Sequence, residues 1–310
     1  MALAIVASRA AAQGPGVPAG LSAPDSTRLT EAFRLVQDVG ERIWPGLAST
    51  PMPVLLVTES AEFLVRPGEG DALQVSSRPR RFAATLLATF PIDGVPTIVT
   101  GTAERTGKSS IDWVLTLVHE HFHQWQYTRR DYYAGVARLN LSGGDTTGMW
   151  MLNYPFPYDS APVARALRRL ASTLQNALAD SALHPQKIQQ VVHARDAVRA
   201  QLSDADYRYF EFQLWQEGVA RYIEYRAADL AGSQGNQDSQ PYRAAAQSAR
   251  WLLVRELEGM DPMQDRRVSF YPIGAAIALL LDRVEPGWKR RYAERPFDLS
   301  TLLAGGKIVK

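Results

Sequence analysis

Between Ile111 and Thr128 the chain keeps one hydrophobic period, and this stretch constrains the fold more than any other. Ile111, Val114, Leu115, Val118, Phe122 and Trp125 fall at steps of three and four, so the spacing predicts a helix with one apolar stripe against a core. On that helix lies Val118-His119-Glu120-His121-Phe122-His123, which contains the H-E-x-x-H pattern. At about 100° per residue, His119 and His123 project together from the flank of the stripe, with Glu120 roughly a sixth of a turn beyond His123. Two imidazoles on one flank can bind one ion. Zinc takes neutral imidazole nitrogen, and a catalytic site keeps one of its four positions for a water whose pKa falls to about 7. Glu120, beside that water, is placed to take its proton. His121 points nearly half a turn away and stays out of the group. So short a pattern also arises by chance, and two nitrogens do not complete a site, so a third ligand must come from elsewhere.

The composition narrows what that ligand can be. Cysteine is absent, which removes disulfides, thiolate ligands and a thiol nucleophile, so a metal has only His, Asp and Glu to hold it. A net charge of +2 with scattered Lys and Arg gives no basic patch for nucleic acid or an anionic membrane. No run of 18 apolar residues exists, so no membrane-spanning helix is expected. With 310 residues and 46% hydrophobic content, one sizeable core is expected.

Residues 1–26 read as the remnant of an export signal followed by a linker. Met1 to Ala7 is apolar, Ala10-Ala11-Ala12 offers small residues of the kind a signal peptidase reads, and Gly14 to Pro24 is rich in Gly, Pro and Ala. On that reading the protein is exported, periplasmic or secreted. Residues 27–310 are expected to form one catalytic domain, with a small α/β part over 27–108 and a helical part over 109–310.

A first helix is expected from Asp25 or Ser26 to Pro45. Short β-prone runs follow at Val54 to Val57, Phe63 to Arg66, Leu73 to Ser76 and Ile98 to Thr100, while Ala83 to Phe90 suits strand or helix equally. The strand at Pro96 to Thr102 leads into the His119 helix, and an edge there could receive an extended peptide. Arg129 to Ser160 reads as a long connection whose Trp150, Tyr154, Phe156 and Tyr158 either wall a cleft or pin the segment to the body. Helical spacing then covers Val163 to Asp180, Pro185 to Leu202, Asp204 to Leu230, Pro241 to Gly259, Gly274 to Val284 and Leu299 to Leu303. His184 and His193 read as ordinary histidines within this half.

The third ligand is sought in Trp215-Gln216-Glu217-Gly218-Val219-Ala220-Arg221-Tyr222-Ile223-Glu224-Tyr225. Glu217, Ala220, Glu224 and Ala228 share one helical face. That face is either solvated, as charged faces usually are, or approached by another helix across the small residues Gly218, Ala220 and Ala228.

Together, the HEHFH segment and the later EGVARYIE segment resemble the gluzincin metallopeptidases, especially their aminopeptidase N-like and glycyl aminopeptidase-like branch. There H-E-x-x-H is followed by a helix of the form N-E-G-x-x-x-Y. The resemblance implies an α+β, predominantly helical fold with a thermolysin-like core, and one zinc ion per chain held by His119, His123 and Glu217. It implies Glu120 as general base, and Glu224 as a carboxylate orienting a ligand histidine. Phe270-Tyr271-Pro272-Ile273-Gly274-Ala275-Ala276 is similar to the family's Y-x-K-G-A segment, which implies that Tyr271 stabilises an oxyanion. The departures are specific. Gln216 stands where the family has Asn, Ile273 replaces its Lys, no Gly-Ala-Met-Glu-Asn segment precedes the helix, and 93 residues separate His123 from Glu217. The expected activity is zinc-dependent hydrolysis of a peptide or protein substrate. The alternatives are a zinc hydrolase for a non-peptide amide or an epoxide, and a binding protein that keeps the fold without turnover.

Overall fold

Ser22 caps the start of the first helix. Its Oγ accepts from the Asp25 amide at 3.2 Å and donates to the Asp25 carboxylate at 2.6 Å, while Pro24 sits in the first turn, where no N–H is needed. In this computed structural model, which describes residues 20–235 and 239–305, helix α1 runs Ala23–Ile43. It starts two residues ahead of the sequence expectation and takes in Pro24, which by composition belongs to the linker. The candidate export segment, Met1 to Ala12, lies outside the described residues.

Five strands follow: β1 Val54–Val57, β2 Ala61–Pro67, β3 Leu73–Pro79, β4 Leu87–Ile92 and β5 Val95–Gly101. They form one sheet in the order β3-β2-β1-β5-β4, with only the β1–β5 pair parallel. The edge strand is therefore not the one expected. β5 is hydrogen-bonded on both sides and buried from Thr97 to Gly101, and β4 and β3 are the two edges among the described residues. Pro91 in β4 has no N–H to give a further strand, which an edge tolerates. Asp93 and Gly94, at φ 49° and 80°, make the two-residue turn of the β4–β5 hairpin. Of the ambiguous run Ala83 to Phe90 the part from Leu87 is strand, while Ala83 to Leu86 is a turn closed by Leu86 N donating to Ala83 O at 3.0 Å.

Helix α2, Ser110–Tyr127, starts on a second capping serine: Ser109 Oγ accepts from the Asp112 amide at 3.2 Å. Trp113 Nε1 donates to Gly101 O at 2.9 Å and fixes α2 to the end of β5. Gly101 tolerates no side chain, because a Cβ there would lie 1.8 Å from Ala84 O. The segment from Arg129 to Ser160 is more ordered than expected and holds α3 Tyr132–Leu139 and α4 Trp150–Asn153. Its aromatics pin it to the body. Trp150, Phe156 and Tyr158 are buried, and Tyr154 stacks on Tyr209 at 4.3 Å.

The helical part continues with α5 Ala161–Ala179, α6 Pro185–Arg199 and α7 Asp204–Gln213, then a π-helical turn at Leu214–Gly218 that leads without a break into α8 Val219–Gly232. After α9 Ser239–Glu258 come α10 Pro262–Asp265, a 3-10 turn Arg266–Ser269, α11 Phe270–Val284, α12 Trp288–Glu294 and a closing 3-10 turn Ser300–Gly305. Helix α12 is not among the expected elements, yet it completes the core. Trp44, at the end of α1, meets Phe122 and Trp125 of α2 and Trp288 and Tyr292 of α12, all edge to face at 4.9 to 5.4 Å. The fold is α+β and predominantly helical with a small N-terminal sheet. No helix among the described residues is long and apolar enough to cross a membrane.

Candidate metal centre

The capped α2 presents His119, Glu120 and His123 as a buried group with one ligand atom from each within 4.8 Å of the others, a set that could hold a metal ion. The two imidazoles meet edge to face, 5.0 Å apart. Glu217 Oε2 lies between them, 3.6 Å from His119 Nε2 and 3.5 Å from His123 Nε2. The Asp204 to Leu230 region thus presents its charged face to α2 at this point, and not to solvent.

The π turn is part of the reason. It inserts an extra residue into the helix at Leu214–Gly218 and leaves carbonyls without their usual α-helical donors. Side chains satisfy them: Gln126 Nε2 donates to Trp215 O at 3.3 Å and to Gln216 O at 3.1 Å, and Tyr292 Oη donates to Trp215 O at 2.8 Å. Gln126 Nε2 also reaches Tyr292 Oη at 2.7 Å. With its amide nitrogen so committed, Gln126 must turn its carbonyl oxygen to His123 Nδ1, 2.7 Å away. That oxygen can only accept, so the proton sits on Nδ1 and the Nε2 lone pair faces Glu217 and the ligand group. Gln216 also lies against this ring, with Nε2 3.1 Å from His123 Nδ1. A protonated Nδ1 cannot accept there, so the shorter bond to Gln126 Oε1 is the hydrogen bond, while Gln216 Oε1 accepts from Tyr132 Oη at 3.0 Å.

His119 is oriented differently. Its Nδ1 lies 3.5 Å from Glu224 Oε2, and Arg221 backs Glu224 at 3.3 Å. Burial opposes a charge on His119, but Glu217 and then Glu224 outweigh it and hold its pKa up at about 10. Burial likewise opposes the Glu224 carboxylate, yet His119 and then Arg221 pull its pKa down to about 2. Glu217 is held well below the carboxylate range despite its burial, chiefly by His123 and His119. The pocket therefore favours positive charge where the two Nε2 atoms and Oε2 converge.

Glu120 is fixed from the edge strand: Thr89 Oγ1 donates to Glu120 Oε2 at 2.7 Å and lies 3.0 Å from Glu120 O. Tyr127 Oη donates to Thr89 O at 3.3 Å and holds β4 against α2. Tyr271, in the first turn of α11, stacks beside His119 with ring centres 6.4 Å apart. Burial, then the charge of Glu217, pushes its hydroxyl well above the usual phenol range, so it remains a donor. Arg267 donates to Tyr271 Oη at 2.6 Å and pairs with Glu217 Oε1 at 3.3 Å.

Of the six site residues singled out from sequence, His119, Glu120, His123, Glu217 and Tyr271 thus meet in one place, and Glu224 stands behind His119. His121 does not join them: it is buried, with Nδ1 2.8 Å from Gln124 Oε1 and Nε2 3.0 Å from Leu47 O. His184 and His193 are exposed, far along the helical part. Sequence reasoning missed Gln126, Arg267 and Thr89. For two of them a signal existed, since Gln126 follows His123 by three and Arg267 precedes Tyr271 by four, both same-face spacings on a helix. Thr89 has no local signal. Compared with protein-family models, curated proteins and solved structures, the chain matches none, so the centre is read from its own geometry.

Proposed function

We propose that this chain is a zinc-dependent peptidase of the gluzincin type with a thermolysin-like core. The observation that carries the reading is the position of Glu217 Oε2, 3.6 and 3.5 Å from the two histidine Nε2 atoms. Three atoms bound to one tetrahedral zinc at about 2.0–2.1 Å stand roughly 3.3 Å apart, so the spacing suits a shared ion. The donor set of two neutral imidazoles and one carboxylate also suits zinc, and with three protein ligands a fourth position stays open.

Zinc, when bound, lowers the pKa of a water and polarises a carbonyl oxygen. The protein's own groups supply the rest. Glu120, steadied by the Thr89 hydroxyl, takes the proton of the attacking water and returns it to the leaving nitrogen. Tyr271 donates to the oxygen that gains charge. The free side of β4 supports a peptide substrate, because an extended chain could pair there beside Glu120, held through Thr89.

The test is metal analysis of purified protein beside His123→Ala, Glu217→Ala and Glu120→Gln. One zinc per chain is expected in the wild type, lost in the first two variants, and kept in the third without hydrolysis of a peptide library. Wild type that takes up no zinc when it is supplied would sink the proposal.

A further inference from the structure

Glu217 offers two oxygens, and Oε2 is the one in contact with the histidines. Oε1 meets Arg267 Nη1 at 3.3 Å. The same Nη1 donates to Tyr271 Oη at 2.6 Å, and the guanidinium lies over the tyrosine ring, 5.3 Å from its centre. One cation thus ties the outer oxygen of the bridging carboxylate to the hydroxyl beside His119. Arg267 is itself largely buried, with 22% of its side chain exposed, and its ion pair in the structure is with Glu217.

We infer that Arg267 is a positioning residue that holds Glu217 with one oxygen toward the metal and keeps the Tyr271 proton free for substrate. This rests on the zinc peptidase reading. A carboxylate left to itself can turn either oxygen, or both, toward an ion, and a charge-assisted hydrogen bond on Oε1 removes that freedom. The second consequence concerns Tyr271. Its hydroxyl accepts from Arg267 and has a single proton to give. Glu217 stands within hydrogen-bonding reach of the same hydroxyl, so Arg267, by pairing with Oε1, competes with Tyr271 for that oxygen and weakens its pull on the proton. Without Arg267, Oε1 becomes the strongest acceptor near Tyr271, and the proton goes there instead of to the reacting oxygen. Arg267 touches neither the substrate nor the ion in this assignment; it acts through the two residues that do.

The experiment compares wild type with Arg267→Met and Arg267→Gln, measuring zinc affinity by competition with a chromogenic chelator, the melting of the metal-free proteins, and peptide hydrolysis at saturating zinc. Zinc affinity should fall by about 10–100-fold in both variants, as for other groups that orient a ligand. At saturating zinc, kcat should fall at least about tenfold with KM nearly unchanged, because the lost contact matters in the transition state. Gln keeps polarity at the site but neither the charge nor the reach to both partners, so it carries the test should Met not fold. Wild-type zinc affinity and kcat in a folded variant overturn the inference, even where melting is lowered, since that pattern is packing alone. Wild type that takes up no zinc fails the underlying reading instead, and the positioning role with it.

Discussion

Gly218 and Gly274 cross at backbone contact: a Cβ on Gly218 would come within 2.4 Å of Gly274 Cα, and one on Gly274 within 2.6 Å of Gly218 Cα and 2.8 Å of Leu214 O. The first follows Glu217 directly and closes the π turn; the second lies three residues after Tyr271. The distance between the bridging carboxylate and the tyrosine is therefore set by two missing side chains. Gly218→Ala has only backbone to push against and should destabilise the protein by about 2–3 kcal/mol. Zinc affinity should also fall, by about tenfold or more. Urea denaturation of the metal-free protein and chelator competition measure the two effects. Unchanged zinc affinity in a folded Gly218→Ala protein would show that the crossing does not position Glu217.

Gln126 stands where a carboxylate would serve a ligand histidine equally well, yet the surroundings forbid one. Its amide nitrogen lies against the Trp215 and Gln216 carbonyls. Gln126→Glu would set an oxygen against both and take the side-chain donor from Gln216 O, while Trp215 O keeps Tyr292 Oη. The expected cost is about 3 kcal/mol or more, read as a lowered urea midpoint. A Gln126→Glu protein as stable as wild type would mean that the amide assignment at His123 is wrong.

Thr89 is the tie between the edge strand and Glu120. Thr89→Val keeps the shape and removes the hydroxyl, so zinc content should stay at wild type. Peptide hydrolysis should drop roughly tenfold, about 1.4 kcal/mol of transition-state stabilisation. Full activity in this variant would place Glu120 under other control.

If the centre binds zinc as proposed, removing the metal should lower the melting temperature, because an ion that binds only the folded chain stabilises it by mass action, about 2.7 kcal/mol at a hundredfold excess over Kd. Chelated protein should melt lower than the zinc-loaded form and recover on addition of zinc, and Glu217→Ala should lose this response. Identical melting curves with and without zinc would contradict a metal bound at folded-state ligands.

Glu211 gives a pH dependence away from the candidate metal centre. It is buried and accepts from the Ser300 amide at 3.0 Å, from Tyr207 Oη at 2.9 Å and from the Ser300 hydroxyl. Burial nonetheless outweighs these donors and raises its pKa. The folded state then binds a proton more readily than the unfolded chain, whose glutamate titrates near about 4.3. This group's contribution to stability therefore falls as pH rises from there through the folded value. Glu211→Gln removes the titration, so the stability of wild type relative to the variant should decline over that interval. A difference that is flat or grows with pH would contradict the raised value.

How much of this is legible in the chain differs by element. The α2 stripe and H-E-x-x-H pattern are local, because a helix repeats every 3.6 residues and its flank can be read off the spacing. The same holds for the strand at Val54–Val57 and for the Gly232 break after α8. The Asp93-Gly94 turn is also written locally, although Ala83 to Phe90 by itself suits strand and helix equally. What fails is whatever depends on partners distant in sequence. Pro96 to Thr102 reads as a strand but not as a central one, since its second partner, β1, lies tens of positions away in the chain. Helix α12 escapes a local reading because its Trp288 and Tyr292 gain their meaning from Trp44.

The sequence by itself determined which residues could bind a metal: no thiol, two histidines at helical spacing, and a short roster of carboxylates. Only the tertiary structure decided which carboxylate faces them. Periodicity left the Glu217 face either solvated or covered, and the choice turns on a π turn, a glycine crossing at Gly218 and Gly274, and the side-chain donors that satisfy the loosened carbonyls. A period fixes direction around one helix axis, whereas the approach of two helices is set by packing and by hydrogen bonds across the core, which no local window contains.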